Sequence, residues 1–152
     1  VDPIARRAFW RMINTLADRG TAILVTTHYL EEAEQCNRLG FLVAGELVAE
    51  GPPSEMRGSQ EGHVIEVLTD QPQQALNFLK GELEPWRVSL FGDRLHVIST
   101  EGLEATRRDL SQRLGRQGIE LLGAAEKGYS LEDVFLVVVE KARQEGKVSR
   151  EE

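Results

Sequence analysis

Between residues 64 and 124 the hydrophobic pattern switches repeatedly between a period of two and one near 3.6, and this alternation constrains the fold more than any other feature of the chain. Residues 64–69 read as a strand, and residues 72–79 as a helix with Ala75, Leu76 and Leu79 turned inward. Residues 87–91 and 95–99 read as two strands joined by a turn at Gly92-Asp93. A helix over 103–116 with Leu103, Leu110 and Leu114 inward, then a strand over 119–124, completes the order βαββαβ.

That order predicts a split βαβ, ferredoxin-like arrangement, in which two helices cover one face of a four-stranded antiparallel sheet. After it, Ser130-Leu131-Glu132-Asp133 has the form of a capping box, and Leu131, Val134, Phe135, Val138 and Val139 form an apolar stripe that must dock on the sheet or on the first part of the chain. Residues 144–152 are polar and expected to be mobile.

The first part reads differently. Asp2 suits an N-cap and Pro3 the first helical position. Ile4, Ala8, Phe9, Met12, Ile13 and Leu16 then make one helical apolar face, stopped by Gly20. The run Ala22-Ile23-Leu24-Val25 predicts a strand buried on both faces of a parallel sheet, with His28 at its carboxyl end. Residues 30–36 read as a short helix, and residues 39–44 and 47–50 as a hairpin about Gly45-Glu46. Residues 53–57 suit one helical turn, and 58–62 have linker composition. The expected division is therefore 1–57, a linker at 58–62, a second unit at 63–143 and a tail at 144–152.

Composition narrows the function. With 152 residues the chain suits one ordinary or two small domains, and its 41% hydrophobic content suits a packed protein. A net charge of −7 argues against a nucleic-acid partner, because phosphate binding needs clustered cations. No apolar run approaches the roughly 20 residues of a membrane span, and the start has no signal-peptide pattern, so the expectation is a cytoplasmic protein. One cysteine, Cys36, forms no internal disulfide and is expected to be a small buried hydrophobe. His63 and His96 fall on predicted strands without an evident partner, and Glu31, Glu32 and Glu34 read as solvated acids on a helix start, so no metal site is expected. Because Val1 is followed at once by a helix start, the chain is expected to begin partway through a larger domain.

The segments Val1-Asp2-Pro3, Ile23-Leu24-Val25-Thr26-Thr27-His28 and Glu31-Glu32-Ala33-Glu34 resemble the D-loop and switch region of ATP-binding-cassette (ABC) ATPases. Asn37-Arg38, Gly45-Glu46-Leu47 and Gly51-Pro52-Pro53-Ser54-Glu55-Met56 resemble the end of the same nucleotide-binding domain, with Asn37 where Asp is usual and Met56 where Leu is usual. Residues 62–139, closing on Ser130-Leu131-Glu132-Asp133-Val134-Phe135-Leu136, are similar to the accessory domain of ABC-2-type exporters. The resemblance implies a partial P-loop NTPase (RecA-like) α/β piece followed by the ferredoxin-like α+β domain and an extra C-terminal helix. It implies that His28 contacts the γ-phosphate and that Asp2 belongs to the loop at the interface with a second nucleotide-binding domain. ATP and Mg²⁺ are then cofactors of the parent protein, with a membrane-spanning permease as partner and export as the task. The parent would sit at the inner face of the cell membrane through that permease.

No Gly-x-x-x-x-Gly-Lys-Ser/Thr loop, signature sequence or Walker B carboxylate occurs in the chain, so the expectation is that it neither holds nor hydrolyses ATP alone. Residues 1–57 would leave apolar surface and strand edges uncovered, which predicts self-association. Two other readings stand beside this one: a regulatory or interaction module whose ferredoxin-like half binds a ligand or partner, and an ABC protein working without a membrane subunit.

Overall fold

A computed structural model describes residues 2–146; Val1 and residues 147–152, which include most of the polar tail, lie outside the described residues. Helix α1 (Pro3–Asp18) begins as its sequence dictates, with Asp2 Oδ1 accepting from the Ile4 N–H at 3.0 Å and Pro3 in the first turn. Gly20, at φ 88°, ends it while its N–H and that of Thr21 donate to Ala17 and Leu16. The apolar face expected on this helix is uncovered: Ile4, Phe9, Met12 and Leu16 are all exposed. The helix's one buried side chain is Trp10, which the periodic pattern had left outside that face.

The strand expected at Ala22–Val25 is not formed. Residues 21–27 join no ladder, and Leu24 is 94% exposed. A strand exists by hydrogen bonding to neighbours, and one that is apolar on both sides needs a neighbour on each edge and a layer on each face. The described residues supply no neighbouring strand and cover only Ile23 and Val25 in part, so the segment runs outside any sheet to the bend at His28. The following helix, α2 (Leu30–Ala33), is a single turn and shorter than expected.

Strands β1 (Leu39–Val43) and β2 (Glu46–Gly51) form an antiparallel hairpin. Its turn is Ala44-Gly45, one residue earlier than expected, because both central residues have positive φ (49° and 83°), as a type I′ turn requires. A register shift at Phe41/Leu42 takes up the extra residue. Helix α3 (Pro53–Gly58) follows.

The second part is built from β3 (His63–Thr69), α4 (Pro72–Glu82), a 3₁₀ turn (Pro85–Arg87), β4 (Val88–Phe91), β5 (Arg94–Ser99), α5 (Leu103–Gly115) and β6 (Leu121–Lys127), in the order expected. The strands form one antiparallel sheet in the spatial order β4-β5-β3-β6. Alternation along the strands sorts the two faces. Ile65, Val67, Val88, Leu95 and Val97 pack against Ala75 and Leu79 of α4 and Leu110 and Leu114 of α5. Each such fully buried aliphatic side chain contributes roughly 1.5–3 kcal/mol by leaving water. The final strand starts later than its pattern suggests, because Ile119 is drawn into this core and Asp70 Oδ1 holds the Glu120 N–H at 2.8 Å.

Helix α6 (Leu131–Gln144) carries the capping box read from the sequence, with Ser130 and Asp133 bonded reciprocally. It covers the other face of the sheet, where Val137 meets Val64 and Ile98. Its first turn also reaches the hairpin: Leu131 and Val134 share a cluster with Phe41 of β1 and Met56 of α3. One helix thus docks on both the four-stranded sheet and the hairpin with α3.

Candidate functional site

The residues singled out for chemistry lie at the start of α1 and in the bend that precedes α2. Two tethers join these places. Arg6, one helical turn beyond Asp2, pairs through Nε with Glu32 Oε1 at 3.2 Å, and its guanidinium lies 5.0 Å over the ring of Tyr29. The second carboxylate oxygen of Glu32 accepts from the Thr27 hydroxyl at 2.7 Å. That hydroxyl in turn accepts from the Tyr29 N–H at 3.0 Å. Both neighbours of His28 are therefore pinned, while the imidazole itself is exposed and tilts against the Tyr29 ring at 4.1 Å.

This arrangement presents the imidazole to solvent between two residues that are each held by a hydrogen bond. A partly exposed pair such as Arg6–Glu32 contributes about 0–1 kcal/mol to stability, so the network positions the bend more than it stabilises the fold. Asp2 is occupied as the α1 cap and is not bonded to His28. Glu32 does something the sequence did not disclose: read there as a solvated acid, it is the acceptor that organises Thr27 and Arg6. Its partners stand five residues away and on another helix, which no periodicity reveals. Glu34 is paired with Arg57 of α3.

The other titratable residues also differ from expectation. His63 and His96, expected without partners, each meet a carboxylate: His63 Nδ1 lies 2.7 Å from Glu126, and His96 Nδ1 lies 2.6 Å from Asp133. Cys36 is half-buried, and that burial pushes its thiol above the ordinary range, away from nucleophilic use. Among the described residues, no group of three or more His, Cys, Asp or Glu is placed to hold a metal ion, and no helix is long and apolar enough to cross a membrane.

No protein-family model matches the chain. Curated relatives do match. The Nod factor export ATP-binding protein I of Rhizobium sp. strain N33 is 37% identical over 138 residues, covering 90% of this chain and 42% of the relative. The protein of the same name from Burkholderia thailandensis is 35% identical over 151 residues, covering 95% and 45%. The probable multidrug ABC transporter ATP-binding protein YbhF of Escherichia coli K12 is 44% identical over 57 residues, covering 38% of this chain and 10% of its own length. The chain spans about two fifths of the length of the Nod factor export relatives it matches. Identity of 32–37%, sustained over nine tenths of the chain or more, shows that it is similar to a part of ABC transporter ATP-binding proteins and supports an ABC ATP-binding fragment.

Proposed function

We propose that this chain is the C-terminal part of the ATP-hydrolysing subunit of an ABC exporter. Residues 1–57 are then the end of the nucleotide-binding domain, with a linker at 58–62. Residues 63–143 are a ferredoxin-like accessory domain with its added C-terminal helix. The observation that carries this reading is the exposed imidazole of His28, held between the pinned residues Thr27 and Tyr29 at the end of an apolar segment that joins no sheet among the described residues.

His28 supplies a hydrogen-bond donor for a terminal phosphate oxygen, and Asp2 sits in the loop that meets a second nucleotide-binding domain. The residues present do not fit ATP by themselves. One imidazole cannot replace a phosphate-binding loop, its lysine and the Mg²⁺ ligands, which supply most of the charge stabilisation in phosphoryl transfer. ATP and Mg²⁺ are therefore held mainly by parts of the parent protein outside these 152 residues, and the chain alone is inactive.

The parent protein works at the inner face of the membrane against a permease. The uncovered apolar side chains Ile4, Phe9, Met12, Leu16 and Leu24 support a missing layer over residues 2–27, and without that layer they drive the chain to self-associate. The test is steady-state ATP hydrolysis by this chain, by the parent protein and by the parent carrying His28→Ala. The reading requires no turnover by the chain and a loss of about a hundredfold or more in the variant, which corresponds to roughly 2.7 kcal/mol of transition-state stabilisation. An unchanged rate in the variant removes His28 from catalysis.

A further inference from the structure

The histidine that the nucleotide reading leaves unused sits where α6 meets the sheet. His96 lies on the α6 face of β5, its side chain 14% exposed, and it stands between two carboxylates. Nδ1 is 2.6 Å from Asp133 Oδ1 on α6, and Nε2 is 3.5 Å from Glu66 Oε2 on β3. Asp133 is almost wholly enclosed, its side chain 1% exposed. Its Oδ2 accepts from the Ser130 N–H at 3.0 Å and the Ser130 hydroxyl at 2.7 Å, leaving Oδ1 for the imidazole.

The other groups around the ring do not replace it. Arg94 of β5 and Lys127 of β6 approach Glu66, at 3.0 and 3.9 Å, and Arg94 also lies 3.9 Å from Asp93. The ring of Phe91 on β4 covers the imidazole at 4.5 Å. The Tyr129 phenol, pushed up to about 12 by burial and by the charge on Asp133, stays neutral and donates to the Glu61 carbonyl.

We propose that His96, Asp133 and Glu66 form a protonation-controlled latch that holds the first turn of α6 on the sheet and, through that turn, holds the hairpin and α3 in place. The chemistry of the ring dictates the switch. An imidazolium donates from both nitrogens and serves both carboxylates; a neutral imidazole carries one proton and serves one. On deprotonation, one carboxylate loses its bond to the ring, and the buried Asp133 charge loses the imidazolium beside it. Asp133 keeps its Ser130 bonds, but a buried carboxylate without its counter-charge is costly, and this weakens the hold of the helix turn that carries it on the sheet. The same turn carries Leu131 and Val134, which cover Phe41 and Met56, so release uncovers both sides of the joint.

The direction of the pH dependence follows from the environment. Burial disfavours the imidazolium, but the hydrogen bonds and charges of Asp133 and Glu66 outweigh it, and His96 titrates above its ordinary value of about 6.5. Burial likewise disfavours the Asp133 carboxylate, but the His96 and Ser130 bonds outweigh it and hold Asp133 below its ordinary range. The His96 contribution is thus complete below pH 6.5 and is lost as pH rises through the folded value. The Asp133 contribution is complete above its ordinary value of 3.8 and is lost only as pH falls through its lowered folded value. The latch is closed in mild acid and opens toward alkaline pH.

Two measurements on the chain decide the matter. Side-chain ¹H–¹⁵N spectra, with the His96 signals assigned by their loss in His96→Gln, give the titration midpoint in the unmutated protein. Hydrogen exchange of the α6 amides, normalised to β3, gives the docking equilibrium from pH 5.5 to 9. Each pH unit by which the folded midpoint exceeds the unfolded one corresponds to a tenfold fall in α6 protection across the transition, so the two readings must agree. The step disappears in His96→Gln, and in Asp133→Asn the midpoint moves down. A midpoint at or below 6.5, a flat α6 profile in the unmutated chain, or a step that persists in His96→Gln overturns the proposal. The titration of the unmutated chain stands even if a variant fails to fold.

Discussion

Replacing Phe41 by Ala tests whether the hairpin is held by its contact with α6. Phe41 is 5% exposed in a cluster with Met56, Leu131 and Val134, and its ring meets Phe135 edge to face at 5.2 Å and 80°. A buried Phe→Ala change costs about 3–5 kcal/mol, and the lower end applies here because half-buried neighbours such as Leu39, Val48 and Val138 line the cluster and can close on the void. About 1 kcal/mol of the loss belongs to the ring pair. Native-state hydrogen exchange separates the effect by region: amides of β1, β2 and the first turn of α6 should lose about 3 kcal/mol, whereas Ile65 and Val67 in the sheet should change by less than about 0.5 kcal/mol. A cycle with Phe135→Leu should give a coupling of about 0.5–1.5 kcal/mol. A cost below about 1 kcal/mol with no coupling would show that the hairpin stands without α6 and would refute the reasoning.

Three further substitutions probe separate joints, each read from a denaturant midpoint. Gly62→Ala should cost about 2 kcal/mol or more, because Gly62 has φ 87° and an added Cβ would lie 2.6 Å from the Ser99 carbonyl oxygen; a neutral result would mean that this crossing relaxes freely. Ala44→Asn should stabilise the hairpin by about 0.5 kcal/mol, since a residue at φ 49° before Gly45 is where a type I′ turn favours Asn. Ser130→Ala should cost about 1 kcal/mol through loss of the α6 cap, and the loss should shrink at pH values where the His96 latch is already open.

Legibility of the fold in the sequence followed how local its causes are. The four-stranded sheet and its helices could be read because each element carries its own period and each turn its own residues, as Gly92, at φ 63°, does between β4 and β5. The capping box of α6 was readable for the same reason, but the surfaces it would cover were not: Val137 and Val134 are three residues apart and face different partners. The strand expected at Ala22–Val25 failed in an informative way. The apolar run at Ala22–Val25 states a demand for neighbouring strands, and a period cannot say whether the chain that carries the demand also meets it. His96 and Asp133 are 37 residues apart on different elements, and nothing short of register and helix placement brings them together. Glu32, which organises the His28 bend, was hidden in the same manner.

The central claim is that residues 22–27 are a strand-forming segment that carries His28 into a nucleotide site once a larger sheet surrounds it. Hydrogen exchange at Ile23, Leu24 and Val25, compared between this chain and the parent protein, tests it most directly. The account predicts near-unprotected exchange in the 152-residue chain and protection of about a hundredfold or more in the parent, as a local stability near 3 kcal/mol gives. Equal, rapid exchange in both would contradict it, because His28 would then have no rigid strand behind it in either.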